Sequence, residues 1–212
     1  HDVALQGFKV IMVLDRAGAV PSDGETHQGL FDIALFRPVP GLRILTPASA
    51  ADLDRLLEYA VKAPGATMIR YPKMSCPTEL ESFSQTVMEG RGVLVSAMDY
   101  EPSFAAKFED SLYKPERVLF VTTGGMFSET ITAGRALAFN DIVADIYSLR
   151  FIKPFDDEDF LSIASHYDAI VIVEDGIKTG GISEYIASVC ARNGVMNIAV
   201  KAFPERFYEQ GS

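Results

Sequence analysis

Arg16, Asp23, His27 and Arg70 are the side chains whose types and spacing best suit chemistry on a small phosphorylated ligand. The first three fall in residues 15–29, a stretch dense in turn formers and polar groups that follows the apolar run Lys9–Leu14. Arg70 closes a second short run, Thr67–Ile69. Each guanidinium presents a planar fork of donors that matches phosphate oxygens, and an imidazole can exchange protons near neutral pH. If both runs are parallel strands, their carboxyl ends point the same way and the four side chains can share one mouth. On spacing alone the plainer reading of the arginines weighs slightly more: Arg16 pairs with Asp15, and Arg70 ends a strand beside Tyr71-Pro72. His27 lies in a polar, Gly-rich loop rather than on an apolar face, which divides its two readings about evenly.

Other candidates carry less. Gly124-Gly125 and Gly180-Gly181 each precede a helix, as anion-binding starts do, without completing a dinucleotide-binding pattern. Glu174-Asp175 reads as a solvated strand end with a helix-capping role rather than an acid pair or metal site, and His166 reads as a helix C-terminal residue. Cys76 and Cys190 have no partner at ligand spacing, so no zinc site or disulfide framework is implied. No Ser-His-Asp set, nucleophile elbow or Walker loop is present.

The elements that must position these residues alternate. A strand at Lys9–Leu14, a short helix near Gly29–Phe36, a strand at Arg43–Thr46, a helix capped by Ser49 with Leu53, Leu56, Leu57, Ala60 and Val61 on one face, and a strand at Thr67–Arg70 make one unit, 1–72. Residues 73–116 carry four of the prolines if Pro72 is included and read as a linker, broken by a strand at Gly92–Ala97. From 117 to 212 the strands Val118–Val121, Ile142–Ser148, Ala169–Glu174 and Met196–Val200 alternate with helices Phe127–Phe139, Asp156–Ser165 and Gly181–Asn193. The expected fold class is therefore α/β, with two units of mainly parallel sheet flanked by helices.

A net charge of −10, with 48% hydrophobic and 23% charged residues, fits a globular chain and opposes a nucleic-acid or acidic-membrane surface. No apolar run reaches the roughly 20 residues that span a bilayer, and a reducing cytoplasmic setting is expected. The opening His1–Gln6 has no initiator Met and reads as the tail of a helix entering a strand, so a longer parent protein is expected.

Asp15-Arg16-Ala17-Gly18 followed by Asp23-Gly24-Glu25-Thr26-His27-Gln28-Gly29-Leu30-Phe31-Asp32 resembles a signature of the 1-deoxy-D-xylulose-5-phosphate synthases. The resemblance continues through Ile69-Arg70-Tyr71-Pro72, Leu149–Asp156, Val173-Glu174-Asp175, Gly180-Gly181 and Gln210-Gly211-Ser212, and weakens between 73 and 117. It implies a transketolase-like fold, with the later part of a pyrimidine-binding domain followed by a transketolase C-terminal-like domain. It also implies a two-carbon transfer from pyruvate, with loss of carbon dioxide, to D-glyceraldehyde 3-phosphate, feeding isoprenoid, thiamine and pyridoxal biosynthesis. Arg16 and Arg70 would hold the aldehyde's phosphate, and Asp23 and His27 would hydrogen-bond the substrates near the thiazolium.

The cofactor would be thiamine diphosphate with Mg2+, but the activating Glu of the family would lie before His1 and its G-D-G metal motif has no counterpart here. The resemblance thus places cofactor binding in a missing N-terminal domain, with a homodimer as the assembly and no activity expected of this chain alone. Pro21, Lys73-Met74 and an apparent insertion at 98–115 depart from the family pattern. Competing readings are a transketolase, a 2-oxo acid dehydrogenase beta-subunit relative, and a non-catalytic dimerisation module.

Overall fold

In the computed structural model, residues 1–77, 79–103 and 115–211 are described. The first unit contains α1 (Asp2–Leu5), β1 (Ile11–Leu14), α2 (Asp32–Phe36), β2 (Leu42–Leu45), α3 (Ala50–Lys62) and β3 (Ala66–Arg70). Ser49 caps α3 by accepting a hydrogen bond from the Asp52 amide at 3.2 Å, satisfying one of the orphan donors of the first turn. The buried stripe of α3 is narrower than its sequence pattern implies. Leu56 and Ala60 are buried, whereas Leu57 and Val61 stay exposed.

β3 lies between β1 and β2 and pairs in parallel with both, in register Leu14 with Arg70 and Leu45 with Ile69. The fourth strand of this sheet is β7 (Phe151–Lys153), which comes from far along the chain and runs antiparallel to β2. The sequence reading has no strand there.

The second sheet has the order β4-β6-β5-β8-β9, built from β4 (Val93–Val95), β5 (Arg117–Thr122), β6 (Val143–Ser148), β8 (Ala169–Ile177) and β9 (Ile198–Phe203). All its pairings are parallel except β4 with β6. The residues read as a linker therefore supply an edge strand of this sheet. They also supply α4 (Ala97–Tyr100), closed by a reciprocal Ser96–Asp99 capping box. The expected insertion at 98–115 lies largely outside the described residues. The crossovers are α5 (Phe127–Ala138), α6 (Asp157–Ala164) and α7 (Ile182–Arg192).

One hydrophobic core joins the two sheets. Ile44 and Met68 of the first belong to the same buried cluster as Val121 and Ile172 of the second, together with Ile152, Phe160 and Ile182. Arg150 adds a polar tie: its Nε donates to buried Asp52 at 2.8 Å, and its terminal nitrogens donate to the carbonyls of Phe83 and Gln85 at 2.8 and 2.9 Å. The connecting segment is thereby fastened to the first unit. A buried arginine is tolerable only with such partners.

Candidate functional site

The loop after β1 closes on itself. Arg16 adopts a left-handed backbone (φ +62°), the Gly18 amide donates to the Gly29 carbonyl and the Gly29 amide to that of Arg16, both at 2.9 Å. A Cβ at Gly29 would lie 2.4 Å from the Arg16 carbonyl oxygen, so only glycine fits this closure. The amide of Ala17 donates to Tyr71, just beyond Arg70 on the neighbouring strand end. The resulting Arg16–Gly29 loop sits at the carboxyl edge of the parallel sheet, where ligands bind in such folds.

Within it, Asp23 lies between two cations, accepting from Arg16 Nε at 2.7 Å and from Lys73 Nζ at 3.0 Å. These bonds hold its carboxyl below the ordinary range, Lys73 contributing most and Arg16 next. Arg16 also pairs with Asp15, and its own pKa is raised chiefly by the bond to Asp23. His27 ends a single 3-10 turn, Glu25–His27, is exposed, and has Nδ1 3.1 Å from Thr26 Oγ1. Arg16, Asp23 and His27 therefore share one open loop.

Arg70 does not join them at the surface. Its side chain is fully buried; Nε donates to Asp32 at 2.7 Å and an Nη to Asp175 at 2.6 Å. Burial works against its charge, but the two carboxylates outweigh it and raise the guanidinium's pKa. The two strand ends lie side by side and Arg16 sits on the open loop, but the Arg70 guanidinium is buried away from it. The reason is charge: an unpaired guanidinium there would be desolvated, and the second unit supplies Asp175 to meet it.

Glu174 and Asp175 are buried rather than solvated. Glu174 does cap a helix, accepting from the amides of Ile182 and Ser183 at the start of α7 at 3.0 and 2.8 Å, and burial raises its pKa despite these bonds. Asp175 Oδ1 also accepts from Thr123 Oγ1 at 2.8 Å. The α7 start thus already holds a carboxylate, and Gly125 packs against Asp175, so neither Gly-Gly pair is an open phosphate cradle. His166 follows α6, its Nδ1 3.4 Å from the Ile163 carbonyl.

Sequence reasoning missed Asp32, Thr123 and Lys73 as members of these networks. Asp32 ends the loop signature, which was the available signal; Thr123 had none, since its partner is 52 residues away.

Two family descriptions match the chain: the transketolase pyrimidine-binding domain over residues 1–78 and the transketolase C-terminal domain over 111–207. The 1-deoxy-D-xylulose-5-phosphate synthase of Treponema pallidum (strain Nichols) is 45% identical over 213 residues, covering 100% of this chain and 31% of the relative. That of Caldanaerobacter subterraneus subsp. tengcongensis is 32% identical over 216 residues, with the same coverage of each. Along its whole length the chain is similar to the 1-deoxy-D-xylulose-5-phosphate synthases.

It corresponds to the C-terminal portion of these synthases and spans about a third of their length. A solved split-gene transketolase, described as an inactive beta4 tetramer, shares the fold with a TM-score of 0.74 at 23% identity, covering 93% of this chain and 58% of its own. Similarity to this transferase family implies thiamine diphosphate as the cofactor of the longer relatives. The residues of this chain do not by themselves fit that group: the carboxylates of Asp32 and Asp175 are engaged by Arg70 and that of Glu174 by the α7 amides, and among the described residues no three His, Cys, Asp or Glu side chains gather to hold a metal. Among the described residues no helix is long and apolar enough to cross a membrane.

Proposed function

We propose that this chain is the substrate-facing C-terminal part of a synthase that joins pyruvate, after decarboxylation, to D-glyceraldehyde 3-phosphate, and that it is inert alone. The observation that carries this is the closed Arg16–Gly29 loop, with Asp23 held between Arg16 and Lys73 at the carboxyl edge of a parallel sheet. The residues preceding this region in the parent would hold thiamine diphosphate and Mg2+, which supply the carbanion chemistry.

The roles of this chain's residues are binding and orientation. Arg16 meets the aldehyde's phosphate from the open mouth; Arg70 joins it by exchanging one of its two carboxylates for the phosphate, which preserves a paired charge. Asp23 and His27 orient substrate hydroxyl and carbonyl groups beside the reacting carbon, with His27 able to pass a proton. The parent is cytoplasmic and a homodimer in this reading. The test is a steady-state assay of the full-length parent carrying Arg16→Ala. The Michaelis constant for the aldehyde should rise at least tenfold more than that for pyruvate; equal changes, or product formed without consuming pyruvate, would sink the proposal.

A non-catalytic assembly role is the second reading, favoured by the split-gene, inactive description of the structural neighbour. Activity of the intact parent separates the two.

A further inference from the structure

The loop that presents Asp23 and His27 has little to hold it. Between Gly18 and Gly29 it makes two internal backbone hydrogen bonds, Asp23 to Val20 and His27 to Gly24, both at 3.0 Å, and most of its residues are exposed. Such a segment buries too little apolar surface to offset the entropy of ordering its backbone. Besides the ion pairs of Asp23 with Arg16 and Lys73, its support comes from the far end of the chain. The Gly211 amide donates to the Pro21 carbonyl at 2.9 Å, the Gln210 side-chain amide to the Ser22 carbonyl at 3.1 Å, and the Gln28 side-chain amide to the Tyr208 carbonyl at 3.2 Å. The Phe207 ring stacks at a tilt on Phe31, centroids 5.3 Å apart.

These contacts fall on both sides of Asp23 and His27, at Pro21-Ser22 and at Gln28 and Phe31. The segment that makes them is anchored independently. Tyr208 sits edge-on to Phe203 at 5.3 Å, at the end of β9, and Arg206 lies over the Tyr208 ring at 4.5 Å. One end of the segment is thus fixed to the second sheet while the other grips a loop of the first.

We propose that Pro204–Gly211 is a strap that positions the Asp23–His27 loop for the phosphorylated aldehyde, with Gln210 and Phe207 as positioning residues that never touch substrate. It rests on the reading of that loop as the substrate face. The strap acts on the carbonyls of Pro21 and Ser22 and on the side chains of Gln28 and Phe31, so it fixes the loop's path without competing for the Asp23 or His27 side chains.

Hydrogen–deuterium exchange on the full-length parent tests this, comparing it with Gln210→Ala, Phe207→Ala and a chain ending at Arg206. Amides of residues 22–31 should exchange at least tenfold faster in each variant, while those of β5 and β6 keep the parent's rate. Unchanged exchange at 22–31 in the point variants, or equal quickening throughout the second sheet, would overturn the strap. Kinetics adds a readout that a purely structural role would not move: Gln210→Ala should raise the Michaelis constant for the aldehyde about tenfold with that for pyruvate unchanged, and Phe207→Tyr should restore what Phe207→Ala loses. A parent that forms no product at all would refute the proposed function, while the exchange result would still decide the strap.

Discussion

Arg70, the last residue of β3, and Asp175, in β8, meet at 2.6 Å across the boundary between the two sheets. With Asp32 on the guanidinium's other side, one cation serves two carboxylates, each at least nine-tenths buried. The arrangement ties the first unit to the second at the level of a single side chain.

Removing that cation should be costly. Arg70→Ala leaves two buried carboxylates without a counter-charge, and we expect a loss of about 3–5 kcal/mol in urea unfolding. Arg70→Lys keeps the charge but loses the fork and should fall between. A loss below 1 kcal/mol for the alanine variant would mean that the tie does not hold the units.

Steric fit makes a sharper contrast. A Cβ on Gly125 would lie 2.2 Å from Asp175 Oδ2, so Gly125→Ala should destabilise by about 1–3 kcal/mol through overpacking. Gly24→Ala, in the exposed loop with nothing within 4 Å and an ordinary negative φ, should change the thermal midpoint little. Equal midpoints for the two variants would contradict the packing.

The Asp23 cluster predicts a pH dependence. Its folded carboxyl titrates below the ordinary 3.8, so the unfolded chain binds the proton more readily. The stabilisation is fully present above 3.8 and is lost as pH falls through the lowered value. Carboxyl chemical shifts recorded by NMR should place the Asp23 midpoint below 3.8 and show it rising in Lys73→Ala; a midpoint that ignores the substitution would remove Lys73 from the cluster.

The two thiols should behave differently. Cys76 is exposed, whereas Cys190 is buried in α7 and its thiol is pushed up to about 11. At pH 8 the native chain should take up one equivalent of iodoacetamide and the urea-unfolded chain two, because the thiolate is the nucleophile. Above pH 9 the native fold loses stability as the Cys190 proton becomes easier to remove from the unfolded chain. Two rapid equivalents in the native state would show that α7 is not packed as described.

The α/β alternation was legible because each strand is a short apolar run and each crossover helix has a cap or a periodic stripe, as Ser49 and Leu56 show for α3. The polar loop at the carboxyl end of β1 was legible too, along with the resemblance it carries. Pairing between sheets was not. Phe151–Lys153 is too short and too close to β6 to announce a strand, and nothing local says that it crosses to the other sheet. Arg70 and Asp175 stand 105 residues apart, so no spacing rule joins them. Glu174-Asp175 looked solvated because charge at a strand end is ordinarily cheapest in water; burial became tolerable through distant donors.

The late origin of β7 also sets an order on synthesis. As the chain leaves the ribosome, residues 1–70 emerge with β2 still lacking its outer neighbour, and the antiparallel edge arrives only when Phe151–Lys153 has been extruded. Until then the nascent first sheet has an open edge next to β2, a site for wrong pairing that holding chaperones would have to cover. Completion of the N-terminal unit thus waits on translation of the C-terminal one, so the two halves mature together.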